Sequence, residues 1–171
     1  MIRAHLIRLN PTPQQAEYFR TACGTARFVF NWALARWKHY RAQGRAVSMH
    51  QLKKEFNQIK RQRFPWVYDV TKCAAEQEFV NLGQALANFF RKKKAGALPK
   101  LKRPRRDGEQ GGFPRFKSRK RGYGSFYLAN DKFALDGYTV HIPKLGPVNM
   151  TEPLRLRGKL VSATVSYRAG W

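Results

Sequence analysis

The sequence predicts an α+β fold, a small antiparallel β-barrel interrupted by an inserted helical bundle, and three observations predict it. Across residues 12–94 apolar side chains recur at helical spacings of three and four. After Gly124 the pattern turns to short alternating runs. A basic and apolar strand-like run also opens the chain at residues 2–9, and such an edge is left unprotected unless it joins the later strands.

That opening run ends at Asn10 and Pro11, and a helix start follows. Thr12 can cap, Pro13 suits the first helical position, and Gln15 can reach back to complete a capping box. Ala16, Phe19 and Cys23 continue at helical spacing. The spacing then predicts a second helix over residues 25–42, with Phe28, Trp32 and Ala35 on one face and a stop at Gly44. Two helices joined at Gly24 read as a helix hairpin or a helix-turn-helix. The first makes Phe28 and Trp32 core; the second needs polar groups on the second helix for base edges, and this one is rich in apolar residues.

Ser48 and Gln51 form a second capping box ahead of a basic amphipathic helix that carries Lys53, Lys54, Lys60, Arg61 and Arg63. Phe64, Pro65 and Trp66 make a turn with an aromatic plug. The longest periodic run, residues 71–94, sets Ala75, Phe79, Leu82, Leu86 and Phe89 on one buried face and Lys72, Glu76, Gln77 and Asn81 on the polar one. Positive charge at Arg91, Lys92, Lys93 and Lys94 suits both the helix dipole and a phosphate.

Residues 96–124 replace periodicity with Gly, Pro and dense cations, with Phe113 and Phe116 interleaved. This composition predicts an extended basic loop that orders on a nucleic-acid backbone, or a solvated linker. Short strands are expected at residues 125–128, 132–135, 138–142 and 160–167, with Asp136 and Gly137 at a tight turn and Val161, Ala163, Val165 and Tyr167 on one side of the last. The divisions expected are 1–10, 11–95, 96–124 and 125–171.

Composition narrows the partners. The chain has 34 Lys and Arg against 10 Asp and Glu, a net charge of +24, which attracts phosphate and repels itself unless an anion neutralises it. No apolar run has spanning length and no signal-peptide core is visible, so a membrane partner is not expected and a cytoplasmic location is. Cys23 and Cys73 occur singly in helical patterns and read as buried free thiols. His5, His39, His50 and His141 are too scattered for a zinc motif, so no metal or other cofactor is expected in this chain. Asp107, Glu109, Asp131 and Asp136 read as loop or turn residues, and no catalytic residue is assigned.

Certain residues together carry a family resemblance. They are Gly24, Thr25, Ala26, Arg27, Phe28, Val29, Phe30 and Asn31; Asn88, Phe89 and Phe90; Gly112, Phe113, Pro114, Arg115, Phe116 and Lys117; and Ile142, Pro143, Lys144, Leu145 and Gly146. In combination, spread over nearly the whole chain, they resemble the amino-terminal half of TnpB, or OrfB, the transposon-encoded RNA-guided nucleases related to type V CRISPR effectors. The resemblance implies a wedge domain from residues 1–10 and 125–171, a helical recognition domain from 11–95 and a basic nucleic-acid-binding linker at 96–124. It implies a guide RNA and a target DNA as partners, with Ser48, Met49, Lys53, Lys72, Glu76, Gln77, Ala129 and Asn130 at the DNA flanking the target. Candidates for RNA or phosphate contact are Arg27, Arg91, Lys92, Lys93, Lys102, Arg103, Arg115, Lys117, Arg119, Lys120 and Arg121. The family's Mg2+-dependent ribonuclease-H-like cutting domain is expected beyond Trp171, so this chain alone is expected to be non-catalytic and to work with a nuclease-domain fragment or a second copy. Two further readings remain, a helix-turn-helix DNA-binding regulator and an RNA-binding structural protein.

Overall fold

A computed structural model describes residues 2–100, 103–105, 108–120 and 124–167. Helix α1 (Pro13–Ala42) starts where Thr12 and Gln15 satisfy each other: the Gln15 amide donates to Thr12 Oγ1 at 3.3 Å and the Thr12 amide to Gln15 Oε1 at 2.9 Å. It stops where Gly44 takes a φ of 71°. There the Gly44 amide donates to Arg41 O at 3.0 Å and the Arg45 amide to Tyr40 O at 2.9 Å, the pair of bonds that closes a helix on a left-handed residue.

The break expected at Gly24 does not occur, because α1 runs through it as one helix of 30 residues. A glycine inside a helix costs about 1 kcal/mol, whereas each fully buried large apolar side chain returns about 1.5 to 3 kcal/mol. Phe19, Cys23, Ala26, Val29 and Phe30 are all buried on both sides of Gly24, so packing decides the outcome. The buried stripe also differs from the expected one. Ala35 is exposed, Phe28 and Trp32 are half-buried, and Ala33 and Leu34 lie fully inside.

Helix α2 (Met49–Arg63) carries the Ser48 and Gln51 capping box, and α3 (Lys72–Lys94) buries the expected row from Ala75 to Phe89. A short 3-10 helix (Pro65–Asp69) joins them. Its aromatic plug is built from Phe28, whose ring meets Phe64 and Trp66 edge-on at 4.8 Å each, while Phe64 stacks on Phe56 at 6.0 Å. This helical core contains Val29, Leu34, Leu52, Phe79 and Leu82.

A second core lies where the first half of α1 and the start of α3 meet the strands, around Phe19, Ala22, Phe126, Leu128 and Val148. Tyr18 ties these parts together. Its hydroxyl donates to Pro143 O and accepts from the Thr71 amide, both at 2.9 Å, and burial raises its pKa against the lowering effect of that amide.

The strands are β1 (Leu9–Asn10), β2 (Ser125–Ala129), β3 (Ala134–Asp136), β4 (Thr139–Ile142), β5 (Gly146–Met150) and β6 (Ser162–Ser166). They form an antiparallel four-stranded sheet in the order β1-β5-β4-β3 and a separate β2-β6 pair. The first strand does join the later ones, but pairs only through Leu9 and Asn10 with Met150 and Asn149. The barrel expectation is not met, since among the described residues no ladder joins the two sheets. Strand β5 is an addition to the strands the sequence predicts. Pro147 disguises it, yet Val148 and Met150 are buried at period two, and the Pro147 carbonyl accepts from Gln15 Nε2 at 2.7 Å.

Candidate nucleic-acid interface

Between the helical bundle and the turns of the sheet lies a cavity of about 440 Å³. Its wall carries five ammonium groups, from Lys53 and Lys60 on α2, Lys72 at the first position of α3, Lys132 after β2 and Lys144 in the β4–β5 turn, with Glu76 the one carboxylate among the lining side chains. Each arrives for a local reason. Lys53 and Lys60 are seven residues apart, two helical turns on one face of α2. The Lys132 amide closes the turn after β2 onto Ala129 O at 2.9 Å. Lys144 sits at a φ of 67°, unusual for a residue with a side chain, and its ammonium donates to the Tyr68 carbonyl.

Two of these charges are partly answered from within. Lys53 Nζ lies 3.4 Å from Glu76 Oε2, and Lys132 pairs with Asp131, whose carboxyl that contact holds below its ordinary pKa. Lys60 Nζ stands 5.2 Å from the centre of the Tyr68 ring. The electrostatic excess, over a buried floor of Phe56, Val67 and Phe79, suits a polyanion.

Of the residues carried over for flanking DNA, the structure brings Lys53, Lys72 and Glu76 into this cavity. The rest stand elsewhere. Ser48 Oγ is occupied by the α2 cap. Met49 packs on α3, where a side-chain carbon at Gly83 would come within 3.0 Å of its Cγ. Gln77 Nε2 donates to Asn81 at 3.3 Å, and Ala129 and Asn130 lead the chain toward Lys132. Lys132, which the sequence places in a strand, and Lys144 both stand in turns. The signal for Lys144 was present in the run from Ile142 to Gly146.

The basic segment is anchored rather than loose where it passes the bundle. Phe113 is buried, edge-on to Phe89 at 5.1 Å and 5.9 Å from Trp37. Asn31 clamps the backbone of Lys117, accepting its amide at 2.7 Å and donating to its carbonyl at 2.8 Å. The Lys117 ammonium reaches Glu78 at 2.6 Å and lies 4.3 Å from the centre of the Phe30 ring. Glu78 is only 4% exposed, and a carboxylate so placed needs a partner. Lys117 is therefore engaged with the protein itself.

The other candidates for phosphate contact divide clearly. Arg91, Lys92 and Lys93 are exposed in the last turn of α3, with Arg91 donating to Asn88 at 3.2 Å. Arg103, Arg115, Arg119 and Lys120 are exposed along the segment, and Arg27 is half-buried on α1 beside Cys23. Lys102 and Arg121, with Asp107, lie outside the described residues. The remaining acids of the loops are dispersed: Glu109 pairs with Lys38 at 2.9 Å, and Asp136 ends β3. Among the described residues no group of three or more His, Cys, Asp or Glu is placed to hold a metal ion, and no helix is long and apolar enough to cross a membrane. Cys23 and Cys73 are buried free thiols.

Residues 1–46 match the helix-turn-helix domain of the OrfB proteins of the IS605 kind, and the resemblance to TnpB and OrfB-type proteins holds. Within that stretch the structure forms β1 and the unbroken α1. The chain is similar to InsQ of Escherichia coli (strain K12), a candidate RNA-guided DNA endonuclease, at 27% identity over 99% of this chain and 38% of InsQ. It is also similar to the virulence protein VsdF of Salmonella dublin, at 29% identity over 60% of this chain and 94% of VsdF. The chain thus spans well under half the length of InsQ.

Proposed function

We propose that this chain is the nucleic-acid-binding portion of a TnpB-like RNA-guided DNA endonuclease, gripping a guide RNA and the DNA that flanks its target. The observation that carries the reading is the cavity: Lys53, Lys72 and Glu76, selected by resemblance alone, line it together with Lys60, Lys132 and Lys144. In this reading residues 11–95 act as the recognition domain, and the sheet turns supply the wedge side of a cleft that holds duplex phosphates. The exposed cations Arg91, Lys92, Lys93 and Lys94, with Arg103, Arg115, Arg119 and Lys120, take the RNA backbone.

No cutting step is proposed for the described residues. A two-metal nuclease needs clustered carboxylates, and the described acids are spread among separate ion pairs and turns. They do not fit a Mg2+ site, so no cleavage step is assigned to them.

The test is to change Lys72 and Lys132 to Ala and measure binding of short duplex DNA and of RNA across a salt series. Neutralising two phosphate contacts should flatten the duplex slope by roughly two while RNA binding keeps its slope. Equal losses on both polymers contradict a cavity dedicated to DNA.

A further inference from the structure

At the end of the bundle where α1 and α3 finish, aromatic rings and cations alternate across one surface. Phe90 and Phe116 are 36% and 44% exposed. Trp37 lies between the last turns, 6.3 Å from Phe90 and 5.9 Å from the buried Phe113. The Arg41 guanidinium sits 5.1 Å from the centre of the Trp37 ring and 5.4 Å from that of Phe90. Lys38 Nζ lies 5.2 Å from Phe113 and 5.7 Å from Phe116. The Phe90, Trp37 and Phe113 rings thus form a row that Lys38 continues to Phe116, flanked by the exposed cations of residues 91–94 and by Arg115.

Exposed phenylalanines cost solubility, so two of them in one row call for an occupant. Charge selects which. Among the described residues Glu109, paired with Lys38 at 2.9 Å, is the acid that touches this row, and cations surround it, which disfavours another basic surface such as a second copy. An apolar peptide would leave the cations unanswered. Rings beside guanidinium groups, bordered by phosphate-seeking ammonium groups, are what unpaired nucleotides require: every base offers a flat face for stacking, and the backbone follows the charge. A paired helix hides those faces.

We propose that this surface is a stacking platform for an unpaired stretch of RNA, separate from the lysine-lined cavity. The inference rests on the reading above that the chain binds RNA, and it adds where single-stranded nucleotides sit and what holds them. Phe90 and Phe116 stack bases, Arg41 packs beside the stacked faces, and the end of α3 takes the phosphates.

The experiment compares the full chain with Phe90→Ala, Phe116→Ala and the double variant. The probes are a uridine ten-mer, a thymidine ten-mer and a fully paired RNA duplex of the same length, each titrated across a salt series. The double variant should lose roughly 5- to 100-fold in affinity for the uridine strand. Its salt slope should be unchanged, because no charge is removed, and duplex binding should stay within about twofold. Phe116→Trp keeps a stacking face; it should retain affinity for the uridine strand, and its added indole fluorescence should be quenched on binding. That variant decides the matter if the alanine variants fail to fold. Equal losses on duplex and single strand, no loss on either, or a Phe116→Trp indole left unquenched by bound strand each overturn the platform. Tighter binding of the thymidine strand overturns its assignment to RNA. A wild-type chain that binds none of the probes overturns the proposed function as well, whereas one that binds with no loss in the variants overturns the platform alone.

Discussion

Cys23 and Gly124 show how much a single contact carries. A side-chain carbon at Gly124 would fall 2.3 Å from Cys23 Cβ, so Gly124→Ala should push β2 off α1 and destabilise by about 1 to 3 kcal/mol, read as a lowered urea midpoint. Burial pushes the Cys23 thiol up to about 11, against the opposing charge of Arg27. The unfolded thiol ionises from about pH 9, and the folded one resists until about 11. Its stability contribution is therefore full below pH 9 and lost as pH rises toward 11, by roughly 2 to 3 kcal/mol. Urea unfolding of Cys23→Ala should show a shallower decline over that window than wild type; parallel declines would refute the assignment. Lys117 makes a contrasting case. Lys117→Met removes the counter-charge of the Glu78 carboxylate, leaving it the Asn81 amide at 3.1 Å, and should destabilise by about 1 to 3 kcal/mol, with non-additive loss when combined with Glu78→Gln. Lys120→Met, on an exposed side chain, should move stability by less than about 0.5 kcal/mol. The capping roles of Thr12 and Ser48 were legible in the sequence because their partners stand three residues away. The partner of Lys117 stands 39 residues away, and no local pattern announces it.

Among the elements, α1 departs furthest from its sequence reading and offers the sharpest check. Gly24 is absent from the glycines with positive φ, and a side-chain carbon there would meet nothing closer than Arg27 at 3.8 Å. Gly24→Ala should then stabilise the protein by about 0.5 to 1 kcal/mol. A turn at Gly24 with a left-handed backbone would make the same change destabilising, so the sign of the shift in thermal midpoint distinguishes one helix from two. Helix α3 was readable from its apolar row alone, since all of that row is buried. The turn at Asp136 and Gly137 was readable too, because glycine supplies the φ of 53° there. Strand β5 was hidden by Pro147, which survives because β1 pairs only with Asn149 and Met150 and leaves that edge to Gln15. Three of the four family motifs are neighbours in space: Phe30 and Asn31, Phe89 and Phe90, and Phe113 to Lys117 all meet where the basic segment docks. Sequence alone displayed the pieces, while their convergence is a property of packing between α1 and α3.

For the molecule as a whole, charge sets the terms. Ten carboxylates cannot answer 34 Lys and Arg, and several of those ten are spent holding the structure, as with Glu78, Glu55 and Glu109. Glu55 and Tyr40 secure Arg36, whose pKa rises although burial alone would lower it. The excess positive charge was plain from composition, and so was nucleic acid as the partner to test. The division of labour was not, because the cavity gathers side chains from α2, α3 and two sheet turns, while the aromatic row gathers them from α1, α3 and the basic segment. Two surfaces with different preferences are expected, duplex phosphates in the cavity and unpaired RNA at the far end of the bundle. The central claim, that the chain is built to hold a guide RNA, is tested most directly by recovering the protein from its native host under high-salt washing and sequencing the RNA that stays bound. One strongly enriched RNA species is expected. Folded protein recovered with no enriched RNA would contradict it and favour a protein that reads duplex DNA directly.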